Sequence, residues 1–591
     1  MDYNKLSDLL YPNTHDTIAD LMQRYPARQT AGEVTRFAPS PTGYLHIGSF
    51  FGAYIDYLIA KQTGGVFYLR LEDTDQKRLV EGSDMIALNM LRLYDVMPDE
   101  GYKIGGDYGP YQQSQRTEIY NVFAKELVRL GRAMPCFCGE NGGKAEIMER
   151  RETTFEADDP CMHLTLDEIA QKINAGQKFA LRFISQGNVE NKTKHRDIIK
   201  GEREVSENDQ NAILIKSNGI PVYAFAHLVD DTLMHTSIVV RGEEWYSSLP
   251  VHLELFKSLG IEPPKYAHTP ILMKTDATTG NKRKISKRYD PEADMRYFFQ
   301  QGYPIDAIKE YLLTLINSDF EPWRLANPTA PIEDYPFDMH NIGTSNPYFD
   351  MDKLDNISKR VISTYSAEQV YDAVVEYAKT YDPDFYHELT AHHDRWLTAF
   401  AIDRGGDKPR KDIYNWSMVK SYFDYLLTDW SLDKSLLDTT QELKVIKDFC
   451  HIESFSDFMI ESNDELNKFF NKYKNNEELN KNYFSEYEDK VINLDNYYLY
   501  YTYIYKTKLT THTDNAEWFS HLKDIALANG FADRKDYKAN PQAYLGDVTR
   551  AATLIRLAIT GKTNTPSLYD IMSLLGVEEC ARRLDHFISL F

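Results

Sequence analysis

Apolar and polar positions follow two rhythms along this chain, and the rhythm changes near residue 290. From Val34, VTRFA reads as a short buried strand, PSPTG as a turn, and IGSFFGAYIDYLIAKQ as an amphipathic helix stopped by Gly64 and Gly65. VFYLRLE follows as a second strand. Strand, glycine-bearing loop, helix and parallel strand make half of a nucleotide-binding α/β unit, whose ligand belongs at the carboxyl end of the first strand. Strands are predicted again at Ala212 to Lys216, Ile238 to Val240 and Pro270 to Met273, with a helix from Val251 to Leu259 between the last two. Residues 116 to 210 read as an insertion, opening with a helix through Val122 and Leu130 and continuing as short elements around three cysteines. Residues 1 to 33 read as a polar, partly helical extension. After residue 290 helical periodicity dominates, as in Met351 to Tyr365 and Asp547 to Thr560, which predicts an all-helical second half. Residues 463 to 490, biased toward Asn, Lys, Glu and aromatics, fit a surface helix pair or a disordered insert equally well.

Length and charge narrow the picture. A chain of 591 residues is too long for one core and predicts roughly three or four domains. No stretch of about eighteen apolar residues occurs, so no membrane partner is expected. The opening MDYNKLSDLLYP has neither the basic start nor the apolar run of a targeting segment, which predicts a cytoplasmic protein. Five cysteines are too few, and odd in number, for a disulfide framework, so reduced thiols or a metal site are expected. The net charge of −22 argues against nucleic acid in bulk, yet local basic grooves can hold it while the rest of the surface stays acidic.

Candidate chemistry begins in the loop from Arg36 to Ser49, RFAPSPTGYLHIGS, which ends at a helix start. Amides at a helix N-terminus favour anions, Gly48 admits a close backbone approach, and His46 can donate to phosphate oxygens as charge develops. Downstream, five basic residues fall between Lys282 and Arg288. The string from Pro39 to Gly48 closely resembles the first signature of class I aminoacyl-tRNA synthetases in its glutamyl form, and Lys284-Ile-Ser286-Lys287-Arg288 resembles the second. Ser49 stands where the generic first signature has a second His.

That resemblance implies an α/β fold: a Rossmann-type class I catalytic domain with an inserted connective domain, followed by an all-helical C-terminal anticodon-binding region. The boundaries it suggests are 34–115 and 211–290 for the two catalytic halves, 116–210 for the acceptor-binding insertion, 291–350 for a stem-contact region and 351–591 for the helical region. By resemblance His46, Gly48, Ser49 and Lys287 bind ATP, with Lys284 and Ser286 supporting the loop. Arg36 and Glu72 end neighbouring predicted strands and Arg241 ends another, positions at which glutamyl enzymes carry residues for the two carboxylates and the ammonium of glutamate. Ala38, Ser40 and Tyr223 are implied along the same pocket, and His227 replaces the Asn of many relatives. Arg241, paired with a side-chain carboxylate, favours glutamate over neutral glutamine.

Cys136-x-Cys138 and Cys161-x-His163 form two tight pairs that suit tetrahedral zinc, as in some glutamyl synthetases, with packed reduced thiols as the alternative. The C-terminal GDVTRAATLIRLAITGKTNTPSLYDIMSLLGVEECARRL resembles the end of the bacterial glutamyl anticodon-binding region, and a helical ending counts against a glutaminyl enzyme. The loop Lys408-Pro-Arg410-Lys411 is a candidate anticodon contact or a solvated surface loop. The implied enzyme is a monomeric ligase using ATP with Mg²⁺ to attach glutamate to tRNA(Glu). The alternatives are use of tRNA(Gln) as well, a glutaminyl enzyme, or a non-catalytic tRNA-binding relative.

Overall fold

A computed structural model describes residues 1–75, 79–138, 160–276, 279–427, 515–528, 531–544, 546–576, 579–580, 582–583 and 586–587. Cys450 and residues 463–490 lie outside them. The chain divides into two compact units, Met1–Ile357 and Ser358–Phe591.

The first unit opens with helices α1 (Tyr3–Leu10) and α2 (Ile18–Arg24). Then come β1 (Val34–Phe37), α3 (Ile47–Thr63), β2 (Val66–Leu69), α4 (Ser83–Leu93) and β3 (Glu100–Gly101). All four residues of β1 are buried, as suits a central parallel strand covered on both faces. α3 is apolar on most of its circumference because it packs over the sheet, and Gly64 ends it in the left-handed conformation, φ 67°. β1 pairs with β2, and β2 with β3, all parallel.

After α5 (Thr117–Arg129) come β4 (Ala133–Cys136), α6 (Leu166–Asn174), β5 (Ala180–Phe183) and the hairpin β6 (Lys192–Asp197) with β7 (Gly201–Ser206). Next are β8 (Ile213–Ile215), α7 (Tyr223–Leu233), β9 (Ile238–Gly242), α8 (Leu249–Ser258) and β10 (Lys265–Thr269). β9 and β10 pair in parallel, and the Ser237 amide donates to the Val34 carbonyl at 2.9 Å, which sets β9 beside β1. From β1 the chain crosses through α3 to β2 on one side, and from β9 through α8 to β10 on the other. The carboxyl ends of β1 and β9 thus flank a topological switch point, where such sheets bind ligands.

Two strand expectations are corrected. β8, predicted to resume the nucleotide sheet, instead pairs antiparallel with β5 in a sheet with β4. Of the expected strand from Pro270 to Met273 only Met273 is in a strand, the first residue of β11 (Met273–Thr275), which forms a hairpin with β12 (Lys282–Lys284) and leads into the second signature loop. A three- or four-residue apolar run shows that a strand exists but not which neighbour it finds.

The N-terminal helices are not a loose extension. Leu6, Leu10, Leu21 and Tyr25 are buried in one cluster with Phe123 and Leu127 of α5. Helices α9 (Arg296–Gln301), α10 (Ile305–Ile316) and α11 (Phe320–Ala326) complete this unit, and α12 (Met351–Ser363) runs across the boundary.

The described part of the second unit is helical: α13 (Ala367–Tyr381), α14 (Pro383–Ala391), α15 (His393–Ala401), α16 (Val419–Tyr422), α17 (Asn515–Ala528), α18 (Arg534–Ala539), α19 (Val548–Thr560) and α20 (Leu568–Leu575). Asp547 caps α19 by accepting from the Arg550 amide. One core gathers Trp396, Phe400, Phe423 and Ile571, and a second gathers Leu522, Ile555 and Met572. Arg410 turns inward, donating to the Ala399 carbonyl and stacking over Phe423, while Lys408 and Lys411 stay exposed.

Candidate active site

At the switch point lies a cavity of about 830 Å³. Arg36, Ala38 and Ser40 line it from the end of β1, Glu72 from beyond β2, Tyr223 from the start of α7, and Arg241 from β9. His46, Gly48 and Ser49 line it at the start of α3, and Lys284, Ser286 and Lys287 from the loop after β12. All twelve residues expected to meet nucleotide or amino acid therefore share one wall system.

The first loop is held by continuation of the parallel ladder: the Arg70 amide donates to the Phe37 carbonyl and the Glu72 amide to the Pro39 carbonyl, each at 3.0 Å. His46 is the N-cap of α3, its Nδ1 accepting from the Gly48 amide at 2.9 Å. That bond fixes the tautomer, leaving the proton on Nε2. A side chain at position 48 would bring a Cβ to 3.1 Å from Nδ1, so glycine keeps the cap intact. Burial, followed by the Lys287 and Lys284 ammoniums, pushes the His46 pKa down to about 4, so the ring is neutral at physiological pH.

The second loop is braced from behind. Arg283 forks onto Asp290 with bonds of 2.5 and 2.8 Å, and Asp290 also accepts from the Ser286 amide at 2.8 Å. Lys284 pairs with Glu244 at 2.9 Å. Lys287 donates to the Tyr44 carbonyl at 2.5 Å and lies over the Tyr44 ring, and burial lowers its pKa. Both lysines thus stand within reach of the first loop.

Beneath the cavity lies a buried ionic network. Arg70 donates to Asp231 at 2.6 Å and to Glu72 at 3.1 Å, Arg116 pairs with Asp230 at 2.6 Å, and the Arg36 Nε lies 3.6 Å from Asp231. Three guanidiniums thus face three carboxylates, a balance that the neighbouring Asp56 disturbs little because burial pushes its carboxyl pKa well up, against the pull of Arg36. Burial raises the Glu72 pKa, opposed by Arg70 and Arg36.

Arg241 stands apart from that balance. Its Nε donates to His268 Nε2 at 3.0 Å, its Nη1 lies 3.4 Å from His252 Nε2, and its guanidinium covers the Tyr266 ring. Burial lowers the pKa of both histidines. Nη2 has no hydrogen-bond partner among the described residues. A buried cation against neutral rings, with one N–H pair unspent, calls for an anion from the ligand.

Residues 33–329 match the family described as class I tRNA synthetases (E and Q), catalytic domain, and residues 545–588 match an anticodon binding domain. The glutamate–tRNA ligase of Acetivibrio thermocellus is 37% identical over 100% of both chains, and that of Clostridium perfringens strain SM101 is 38% identical, again over 100% of both. The chain belongs to the glutamate–tRNA ligase family. It is thus an enzyme, a ligase of the aminoacyl-tRNA synthetase class. A crystal structure of a glutamate tRNA ligase from Elizabethkingia meningosepticum shares the fold, with a TM-score of 0.64 and 21% identity over 94% of this chain and 99% of that one.

Against the glutamate–tRNA ligase signatures, motif reading missed the residues that hold the site from behind: Arg70, Asp231, His252, His268 and Asp197. The Asp230-Asp231 doublet inside the apolar run AFAHLVDDTLM is a signal, since carboxylates there demand buried cations. His227 does not line the cavity; it is fully buried, with Nδ1 2.5 Å from Asp231 and Nε2 3.0 Å from the Tyr266 hydroxyl. Of the metal candidates, Cys136, Cys138 and Cys161 bring their sulfurs within 4.8 Å of one another, and His163 is outside that group. The Cys161 contact, opposed by burial, draws the Cys136 pKa down.

Proposed function

We propose that this protein activates glutamate with ATP and transfers it to the terminal ribose of tRNA(Glu). The observation that carries the reading is Arg241, a buried cation whose Nη2 has no partner among the described residues, in the same cavity as a neutral His46 and two lysines. Arg241 takes the side-chain carboxylate of glutamate, Arg36 its α-carboxylate side, and Glu72 its ammonium, with Ala38, Ser40 and Tyr223 shaping the pocket between them. ATP enters as its magnesium complex at His46, Gly48 and Ser49, beside the amides of α3.

The α-carboxylate attacks the α-phosphorus in line and pyrophosphate departs. His46 donates through Nε2 as charge grows on the phosphate oxygens, and Lys287 leaves the Tyr44 carbonyl to neutralise the leaving group, with Lys284 and Ser286 holding its loop. No general base is needed, because the attacking carboxylate is already ionised. The ribose hydroxyl then attacks the carbonyl carbon of the glutamyl-adenylate so formed, the acyl–phosphate bond breaks, and AMP leaves as the hydroxyl proton is lost, with positioning supplying much of the rate. The insertion receives the acceptor end of the tRNA and the helical C-terminal region its anticodon.

tRNA-dependent ATP–pyrophosphate exchange, run with glutamate and with glutamine, tests the reading. Exchange is expected with glutamate alone, and Arg241→Ala should lower kcat/KM for glutamate by about a hundredfold or more, the loss of a buried charge-assisted contact. Normal glutamate kinetics in that variant would refute the assignment. Charging of tRNA(Glu) and tRNA(Gln) transcripts in parallel decides whether one or both are substrates.

Cys136, Cys138 and Cys161 offer three sulfurs to a structural zinc ion, which would tie β4 to the segment at Cys161, and His163 is the fourth ligand the sequence offers. Elemental analysis of chelator-washed protein should find about one equivalent of zinc. Finding none would leave the three thiols as packed, reduced cysteines.

A further inference from the structure

The guanidinium of Arg241 does not hold its own orientation. It rests on a chain of hydrogen bonds that begins in the insertion, at the last residue of β6. Asp197, 1% exposed, accepts at Oδ1 from the amides of Ile199 and Lys200, at 2.9 and 2.8 Å. Its Oδ2 lies 2.6 Å from His268 Nδ1, and the His268 amide also reaches this carboxylate at 3.2 Å. An ionised carboxylate can only accept, so His268 carries its proton on Nδ1. Nε2 is then left with a lone pair, and the Arg241 Nε–H donates to it at 3.0 Å.

We propose that Asp197 and His268 are positioning residues for amino-acid selection: they fix the imidazole tautomer that holds the Arg241 guanidinium in the plane from which Nη2 meets a carboxylate. The proposal rests on the reading of Arg241 given above. With the other tautomer His268 would set N–H against N–H, and Arg241 would turn away. His252 cannot replace this support, because its contact to Nη1 is 3.4 Å long and its Nδ1 has no partner among the described residues. The arrangement gives a residue of the inserted segment a part in choosing the amino acid.

The test uses the full chain with a tRNA(Glu) transcript, following pyrophosphate exchange against glutamate and against ATP. His268→Leu removes the acceptor and should raise KM for glutamate about tenfold or more, with KM for ATP within about twofold. His268→Gln keeps an acceptor oxygen for Arg241 Nε and should stay within about threefold of the parent. Asp197→Asn is nearly isosteric. Its oxygen stays with the Ile199 and Lys200 amides, its NH₂ faces His268 Nδ1, and the tautomer flips. KM for glutamate should again rise about tenfold, and the preference for glutamate over glutamine should shrink.

In the parent protein, imidazole ¹⁵N spectra should show His268 protonated at Nδ1 and bare at Nε2, a readout that needs no variant to fold. Parent-like KM for glutamate in folded His268→Leu overturns the proposal, as does His268→Gln as damaged as His268→Leu, or a His268 protonated at Nε2. If Arg241→Ala itself leaves glutamate kinetics unchanged, the reading beneath has failed. If Arg241→Ala is crippled and His268→Leu is not, only the positioning role has.

Discussion

His46 shows how one backbone hydrogen bond sets a chemical role. Because Nδ1 accepts from the Gly48 amide and the pKa is depressed to about 4, the ring stays neutral, with its proton on Nε2, over the working range. Protonation requires the pH to fall to about 4, and it would then place an N–H at Nδ1 against the Gly48 N–H. Activation kinetics should accordingly show no acid limb from this residue near pH 6.5, and its ¹⁵N signals should keep the Nε2–H pattern down to about pH 5. A His46 titrating near 6.5 would contradict the cap geometry. At this scale the sequence was informative about which residues share the cavity wherever they sit side by side in a motif, as from Arg36 to Ser49 and from Lys284 to Lys287. It was silent on His268, a lone histidine in YAHT, whose partners Asp197 and Arg241 meet it only after β6, β9 and β10 are laid together.

Helices and strands differ in how far local pattern determines them. α3 was legible from end to end, because a capped N-terminus, a long apolar run and Gly64 all lie within the helix itself. β8 was not: its three apolar residues suit any buried sheet, and its pairing with β5 depends on segments far off in sequence. The loop after β12 is an element shaped by ion pairs centred on Asp290, with Arg283 also reaching Asp276 and Lys274 lying 3.5 Å from Asp290. The Arg283 fork on Asp290 and the Ser286 amide on the same carboxylate make it a rigid bracket for Lys287. Asp290→Asn keeps the size and loses the charge, so kcat for activation should fall about tenfold while KM for glutamate changes little. Stopped-flow measurement of pyrophosphate release checks this. An unchanged kcat would mean that the loop is shaped by its substrate and not by Asp290.

At the scale of the whole molecule, the loss of strand signals after residue 290 announced helices but not the division into two units, which falls inside α12, between Ile357 and Ser358, where the sequence carries no mark of it. A net charge of −22 and a polyanionic partner are reconciled only if basic residues are gathered locally. tRNA affinity should therefore fall steeply with salt, log Kd rising linearly with log salt concentration, despite the acidic chain. A flat salt response in filter binding would show that phosphate contacts are few.

The burial of α1 and α2 against α5 also bears on how the protein is made. Leu6 packs in the same cluster as Phe123, more than a hundred residues downstream. At about 5–20 residues per second, the apolar faces of the first two helices emerge from the ribosome roughly 6 to 25 seconds before their partner exists. Through that interval the two segments, 8 and 7 residues long, are too short to hold a helix alone, so they take their native form only when α5 arrives to cover them.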